Sequence, residues 1–207
     1  MALNGKCLVL KEENDKNYSH SERLHLYIQD VLDQADLEAD QLDAIAISQG
    51  PGSYTGLRIG VSAAKGLCFA LNIPLIAVST LEALACQVKV DQGVIVPMLD
   101  ARRMEVYTAI FDTDYMLIKE TEAKILDDTS FGSFLDKGKV HFVGNGVAKT
   151  QTLLQHQNAV FIEGKLPSAN EMCQLSHAKY KKSDFEDVAY FEPFYLKDFV
   201  AVKSKKN

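Results

Sequence analysis

Apolar positions in this chain fall into short runs with two different periods, and the runs follow one another in a repeated order. Leu42–Ile47, Leu75–Val78, Val94–Leu99, Val140–Val143 and Ala159–Ile162 are brief apolar stretches edged by Asn, Asp, Gly or polar residues, the pattern of buried strands. Lys6–Lys11 reads as a strand after an Asn4-Gly5 turn, and Val106–Phe111 and Met116–Lys124 as strands joined through Asp112-Thr113-Asp114. Helical spacing lies between them. Leu24, Tyr27, Ile28, Val31, Leu32 and Ala35 recur every three or four residues behind a Ser19-x-x-Glu22 capping box. Leu57–Leu71 is apolar on nearly all sides. Ser79-x-x-Glu82 opens a helix to about Val88, Ser130–Leu135 and Gly146 to about His156 read as short helices, and Ser168-x-x-Glu171 opens the last one.

The second half therefore reads strand, strand, strand, helix, strand, helix, strand, helix. The first half gives the same order with its opening strand absent and its second strand reduced to Met1-Ala2-Leu3. This duplication predicts an α/β fold of two small lobes, residues 1–91 and 92–207, ending in a flexible basic tail at 203–207. The repeat is one of element order, not of sequence.

Composition narrows the function more than the fold. The chain has 207 residues, 47% hydrophobic and 24% charged, ordinary for a globular protein able to bury a core. No 18-residue apolar stretch and no signal peptide appear, so a cytoplasmic location without membrane contact is expected. Cys7, Cys68, Cys86 and Cys173 form no Cys-x-x-Cys pair and read as reduced thiols. The net charge of −6 argues against a chain that binds nucleic acid by itself, because such proteins carry a basic face. Lys179, Lys181 and Lys182 are offset by Asp184, Glu186 and Asp187.

Candidate chemistry is sparse. His20 and His25 are five residues apart, on different sides of a helix, and no third ligand accompanies them; no metal site is expected. Ser53 and Thr55 have no histidine partner in the pattern, so a hydrolytic triad is unsupported and no catalytic residue is assigned. Asp100, beside Arg102, Arg103 and Glu105 at a strand end, reads either as a base or phosphate-site acid, or as a turn-forming Asp paired with Arg102. The run Ser48-Gln49-Gly50-Pro51-Gly52-Ser53-Tyr54-Thr55-Gly56-Leu57-Arg58-Ile59-Gly60 joins a strand to a helix N-terminus. Gly50, Gly52, Ser53, Thr55 and Gly56 are weak anion-site candidates there. The alternative is glycines that only permit tight turns and close packing. No Lys-Ser or Lys-Thr follows Gly56, so the run is not a P-loop.

That run, with Ala-Lys-Gly-Leu at 64–67, Ile-Pro-Leu-Ile-Ala-Val-Ser-Thr-Leu-Glu-Ala-Leu-Ala at 73–85 and Leu-Asp-Ala-Arg-Arg-Met-Glu-Val-Tyr at 99–107, resembles the TsaB (YeaZ) family. The likeness is close over roughly residues 18–107 and holds in pattern beyond. It implies the duplicated fold of actin, sugar kinases and Hsp70, related to ribonuclease H. It also implies a non-catalytic role in making threonylcarbamoyladenosine next to the tRNA anticodon, with a TsaD-like catalytic subunit and a TsaE-like ATPase as partners, a homodimer when alone, and tRNA engaged only indirectly. No cofactor is implied for this chain, ATP belonging to the complex. The opening strand that supplies acidic and hydroxyl residues in the family has no counterpart here: either the chain is an incomplete version or its start was assigned downstream. The His-x-x-x-His motif of metal-dependent relatives is also absent. A self-standing glycoprotease-type peptidase or ATP-dependent kinase-like enzyme is the alternative. The resemblance further implies a partner interface on two helices, at Leu24, Tyr27, Ile28 and Val31 of the first and Ile59, Ala63, Gly66 and Ala70 of the second. The other account of these faces is an internal helix pair.

Overall fold

The structure, a computed structural model, describes residues 1–14 and 20–197, and the side chains from residue 23 onward in the first helix. Ser19 of the expected capping box and the basic tail at 203–207 lie outside the described residues.

The first half opens with a hairpin of β1 (Ala2–Leu3) and β2 (Lys6–Cys7), turned at Asn4 and Gly5. The strand expected over Lys6–Lys11 stops at Cys7, because Leu8 and Leu10 find no sheet to bury them and stay half exposed. Helix α1 (His20–Ala35) follows, then one turn of 3-10 helix at Ala39–Gln41 that displaces the expected Leu42 strand start. Strand β3 spans Ile45–Gly50, helix α2 Tyr54–Leu71, strand β4 Leu75–Ser79 and helix α3 Thr80–Ala85. β3 and β4 form a two-stranded parallel sheet, Ile45 opposite Leu75 and Ser48 opposite Val78.

The second half holds a five-stranded sheet in the order β7-β6-β5-β8-β9. Its strands are β5 (Val94–Asp100), β6 (Glu105–Phe111), β7 (Leu117–Ile125), β8 (Val140–Val143) and β9 (Ala159–Ile162). β5–β8–β9 run parallel and β5–β6–β7 antiparallel. Helix α4 is a single turn (Gly132–Leu135), α5 covers Val147–Leu153, and α6 covers Ala169–Lys181. Helix α5 stops before the expected His156, where Leu154 turns extended and drops into the core. At α6, Ser168 caps the helix by accepting the Asn170 N–H, but Glu171 accepts from the Asn170 side chain, so the reciprocal box is not formed.

β5 explains why its run is apolar throughout: it is covered on both faces. Val96 and Met98 pack with Phe142, Val147 and Leu154 on one side, and Ile95 and Leu99 with Leu81, Leu84 and Ala85 of α3 on the other. Each fully buried aliphatic side chain there contributes about 1.5–3 kcal/mol. Helix α3 is thus shared, touching the large sheet, β3, β4 and α6. In sequence the boundary expected near residue 91 falls after α3. In space α6 crosses back, and its Met172 and Leu175 pack on Ile76 and Val78 of β4.

The end of β8 is fixed by a close approach. Gly144 sits at φ +115°, and a Cβ there would lie 2.3 Å from the Met98 carbonyl oxygen and 2.7 Å from Leu84. Gly144→Ala should therefore lower unfolding free energy by about 3 kcal/mol or more, from left-handed strain plus a backbone clash. Urea denaturation followed by circular dichroism checks this; a loss below about 0.5 kcal/mol would contradict the packing.

Candidate functional site

Two surfaces are built around α2. The first is its N-terminal loop. Gly50 ends β3 at φ +109°, joined to Pro51 by a cis peptide bond, and a Cβ on Gly50 would approach the Phe194 carbonyl oxygen to 2.9 Å. The Phe194 N–H donates to the Gln49 carbonyl at 2.8 Å. Ser53 caps α2 by accepting the Gly56 N–H at 3.3 Å, and the Ser48 and Thr80 hydroxyls meet at 2.5 Å, tying the loop to α3. Thr55 is exposed. Glycine here serves a backbone that must pass close to another backbone.

What passes is the C-terminal segment, residues 187–197. Lys65 on α2 donates to the Ala189 and Phe191 carbonyls, 3.0 Å each, Tyr195 stacks on Tyr54 at 4.9 Å, and Lys197 pairs with Glu105. The space left between Pro51, Gly52, Tyr54 and Leu57 on one side and Tyr107 and Phe194–Lys197 on the other is about 40 Å³. That volume admits a few waters. The weak anion-site candidates Gly50, Gly52, Ser53, Thr55 and Gly56 thus surround a loop whose cap and whose neighbouring space are taken by the chain itself. Lys65, whose role no local pattern signalled, is the residue that holds this segment.

The second surface is the outward side of α2. Val61, Ala64 and Cys68 face inward, with Cys68 and Ala64 against Ile45, Ile47 and Leu75. Opposite them lies an open groove of about 560 Å³ lined by His25 of α1 and by Arg58, Ile59, Ser62, Ala63, Gly66 and Leu67 of α2. A Cβ on Gly66 would meet nothing within 4 Å. Ala70 is exposed beyond it, and Phe69 is 85% exposed. The structure brings Ile59, Ala63 and Gly66 together in this groove. It also adds Arg58 and Ser62, which the helical pattern places on a separate polar stripe. Leu24, Ile28 and Val31 of α1 are half-buried and do not line the groove. Tyr27 is turned toward the segment after β2, hydrogen-bonded to Glu13 with Lys11 over its ring.

Reactive groups are few. Burial pushes the Cys86 thiol up to about 11, with the charges of Glu82 and Glu171 adding to it, and burial also raises Cys68. Neither is a ready nucleophile at neutral pH. Among the described residues no three His, Cys, Asp or Glu side chains gather where a metal could be held. Asp100 forms a turn as one of the two sequence readings has it: its Oδ1 accepts the Arg102 N–H at 2.6 Å. Its ion-pair partner, however, is the Lys149 ammonium at 2.8 Å, not the Arg102 side chain. Burial acts to raise the Asp100 carboxyl, but the Lys149 hydrogen bond and the Arg102 N–H prevail and hold it below the usual range.

Comparison with known proteins places this geometry. Residues 14–205 match the family model described as TsaD, tRNA N6-adenosine threonylcarbamoyltransferase. The tRNA threonylcarbamoyladenosine biosynthesis protein TsaB of Escherichia coli is 31% identical over 192 residues, covering 89% of this chain and 83% of that protein. The Bacillus subtilis protein of the same name is 41% identical over 102 residues, an alignment that spans 49% of this chain and 44% of the relative. The crystal structure described as YeaZ from Pseudomonas aeruginosa superposes with a TM-score of 0.75 at 27% identity, covering 86% of this chain and 85% of that one. Fold and match together define an α/β domain of the duplicated actin-like kind, related to TsaD. Within that class, the chain belongs to the TsaB (YeaZ) family. No helix among the described residues is long and apolar enough to cross a membrane.

The α2 groove yields a direct test. Ala63→Glu should leave circular dichroism and melting near wild type, with a cost below about 1 kcal/mol, because its side chain enters open space. Gln151→Glu on exposed α5 serves as the control. In sedimentation velocity Ala63→Glu should reduce association, through steric blockage and an unpaired charge at the contact, while Gln151→Glu should not. Unfolding of Ala63→Glu alone would make the face internal core.

Proposed function

We propose that this chain is an accessory subunit of threonylcarbamoyladenosine synthesis on tRNA, without a chemical step of its own. It docks through the α1–α2 side onto a TsaD-like catalytic subunit, and its effect is to favour that subunit's active arrangement. A TsaE-like ATPase is the third partner, ATP enters at the level of the complex, and in isolation the same face pairs two copies of the chain. Its place of work is the cytoplasm. The observation that carries this reading is the α2 face: a helix apolar on nearly all sides, covered by the sheet on one side only, in a chain of the TsaB family. Such an uncovered apolar face is a docking surface more often than an accident. The raised thiols and the filled cleft beside Gly50 support a non-catalytic role.

Reconstitution tests it. The TsaD-type and TsaE-type proteins of the same genome, tRNA and the threonylcarbamoyl donor are combined with and without this chain. Modified adenosine should fall at least tenfold when the chain is omitted, about 1.4 kcal/mol of activation or more. Undiminished modification without it would overturn the reading. The purified chain alone should show no ATPase or peptidase turnover, and should bind tRNA no tighter than about 10⁻⁶ M at physiological salt. Turnover that disappears in Asp100→Ala would instead make the chain an enzyme, an outcome that the transferase name of the matching family model makes worth measuring.

A further inference from the structure

The tip of the β5–β6 hairpin breaks a local rule. Arg102 and Arg103 stand at φ +68° and +48°, in the left-handed region that costs an L-residue about 1–2 kcal/mol and that turns usually give to Gly or Asn. Both residues are exposed. Two successive arginines held there need a scaffold, and one is present. The Asp100 N–H donates to the Asn145 side chain at 2.8 Å, and the Asp100 carboxylate accepts the Arg102 N–H. The Lys149 ammonium donates to Asp100 at 2.8 Å, to the Arg103 carbonyl at 2.7 Å and to the Glu105 carbonyl at 3.0 Å. The turn closes with Glu105 N–H to the Arg102 carbonyl and Ala101 N–H to the Glu105 carbonyl.

This scaffold pairs the charges of Asp100, Glu105, Lys149 and Lys197. Lys149 is used up by its three acceptors, and Lys197 by Glu105. Among the described residues neither guanidinium group has a hydrogen-bond or ion-pair partner, although the charge of Arg102 acts on the Asp100 carboxylate. Backbone strain retained under such support is a mark of function. The tip also lies at the carboxyl end of β5, beside Gly144 and Asn145 after β8, the end of a parallel sheet where ligands collect.

We propose that the Arg102–Arg103 turn is a phosphate contact for a polynucleotide backbone. A guanidinium fork matches phosphate oxygens in a way that an ammonium does not, and two forks on a fixed turn can engage neighbouring phosphates. A protein partner is the weaker fit, because such interfaces are built on an apolar centre and the tip offers only Met104, 40% exposed. On a chain of net charge −6 two contacts give weak, salt-sensitive binding that supplements a larger assembly. The choice of tRNA as probe rests on the functional reading above and goes beyond it, since there the RNA is engaged only through the catalytic partner.

The test is fluorescence anisotropy of the purified chain with labelled total tRNA, titrated across KCl from about 20 to 150 mM. Each phosphate contact contributes about 0.7–0.9 to the slope of log K against log salt. Arg102→Ala/Arg103→Ala should therefore flatten the slope by about 1.4–1.8 and weaken low-salt binding about tenfold or more. The single variant Arg103→Glu should weaken it further than Arg103→Ala and gives an independent reading should the double variant lose its fold. Lys119→Ala on β7, opposite Ile110 and away from the tip, removes a positive charge elsewhere and should leave the slope within about half a contact of wild type. No binding by the wild type at low salt, equal losses in the β7 control, or competition by polyglutamate as strong as by tRNA would each overturn the proposal. The measurement needs neither docking nor modification, so it stands or falls apart from the accessory-subunit reading.

Discussion

The fold turns on one constraint: a two-stranded parallel sheet cannot hold itself together. Among the described residues β3 and β4 have each other as strand partners, with a single bridge from Leu75 to Glu186, yet Leu75–Val78 are fully buried. Their cover is borrowed from the far end of the chain. Helix α6 lies on Ile76 and Val78, while Val188 and Phe191 join α2 over Leu75, Ile45 and Ile47. The Phe194–Gln49 hydrogen bond and the Lys65 contacts then pin the segment that follows α6. Stability of the first half is thus non-local, closed by contacts between segments about a hundred residues or more apart in sequence, at the loop-entropy cost such closures carry.

From that constraint the division of α2 follows. One side must face β3, β4 and the returning segment, which fixes Ala64 and Cys68 inward and Lys65 toward the Ala189 and Phe191 carbonyls. Among the described residues the element beside the opposite side is α1, which contributes His25 to the groove. Small residues at 63, 66 and 70 keep that side low, and Phe69 stands beside it in solvent. An apolar side chain 85% exposed forgoes roughly the 1.5–3 kcal/mol that burial would return, a cost that a contact with another chain removes.

The elements whose period is strong were legible in the sequence. β5, β8, β9 and the Ser79 cap fall where their apolar runs and capping residues place them, and α2 starts nearly a turn before its apolar run, at Tyr54 behind the Ser53 cap. The misses have physical causes. Leu8–Lys11 alternate like a strand, but their backbone pairing ends with the Val9 bonds to Met1, where the opposing strand runs out, and Leu42 is taken by the exit of a 3-10 turn. The sequence pattern could show that α2 is apolar all round and that Lys65 interrupts it. It could not show that the lysine's acceptors are backbone carbonyls 124 and 126 residues away. Nor could it show that Lys149, a residue on a helix surface by pattern, is the counter-ion of Asp100. Such pairings depend on tertiary placement alone.

The glycine-rich run shows how a motif and its usual chemistry come apart. Its residues are those of a loop that cradles anions at a helix N-terminus, and a relative that binds nucleotide could use them so. In this chain Gly50 is demanded by the Phe194 carbonyl, Ser53 by the first turn of α2, and Ser48 by Thr80. Every one of these is satisfied within the chain. Exposed positive charge stands instead at the second lobe's hairpin, where Asp100, Asn145 and Lys149 hold two arginines in strained backbone. The Gly50 loop is closed by the chain's own returning segment, whereas the outward α2 face and the Arg102–Arg103 tip are left open to solvent.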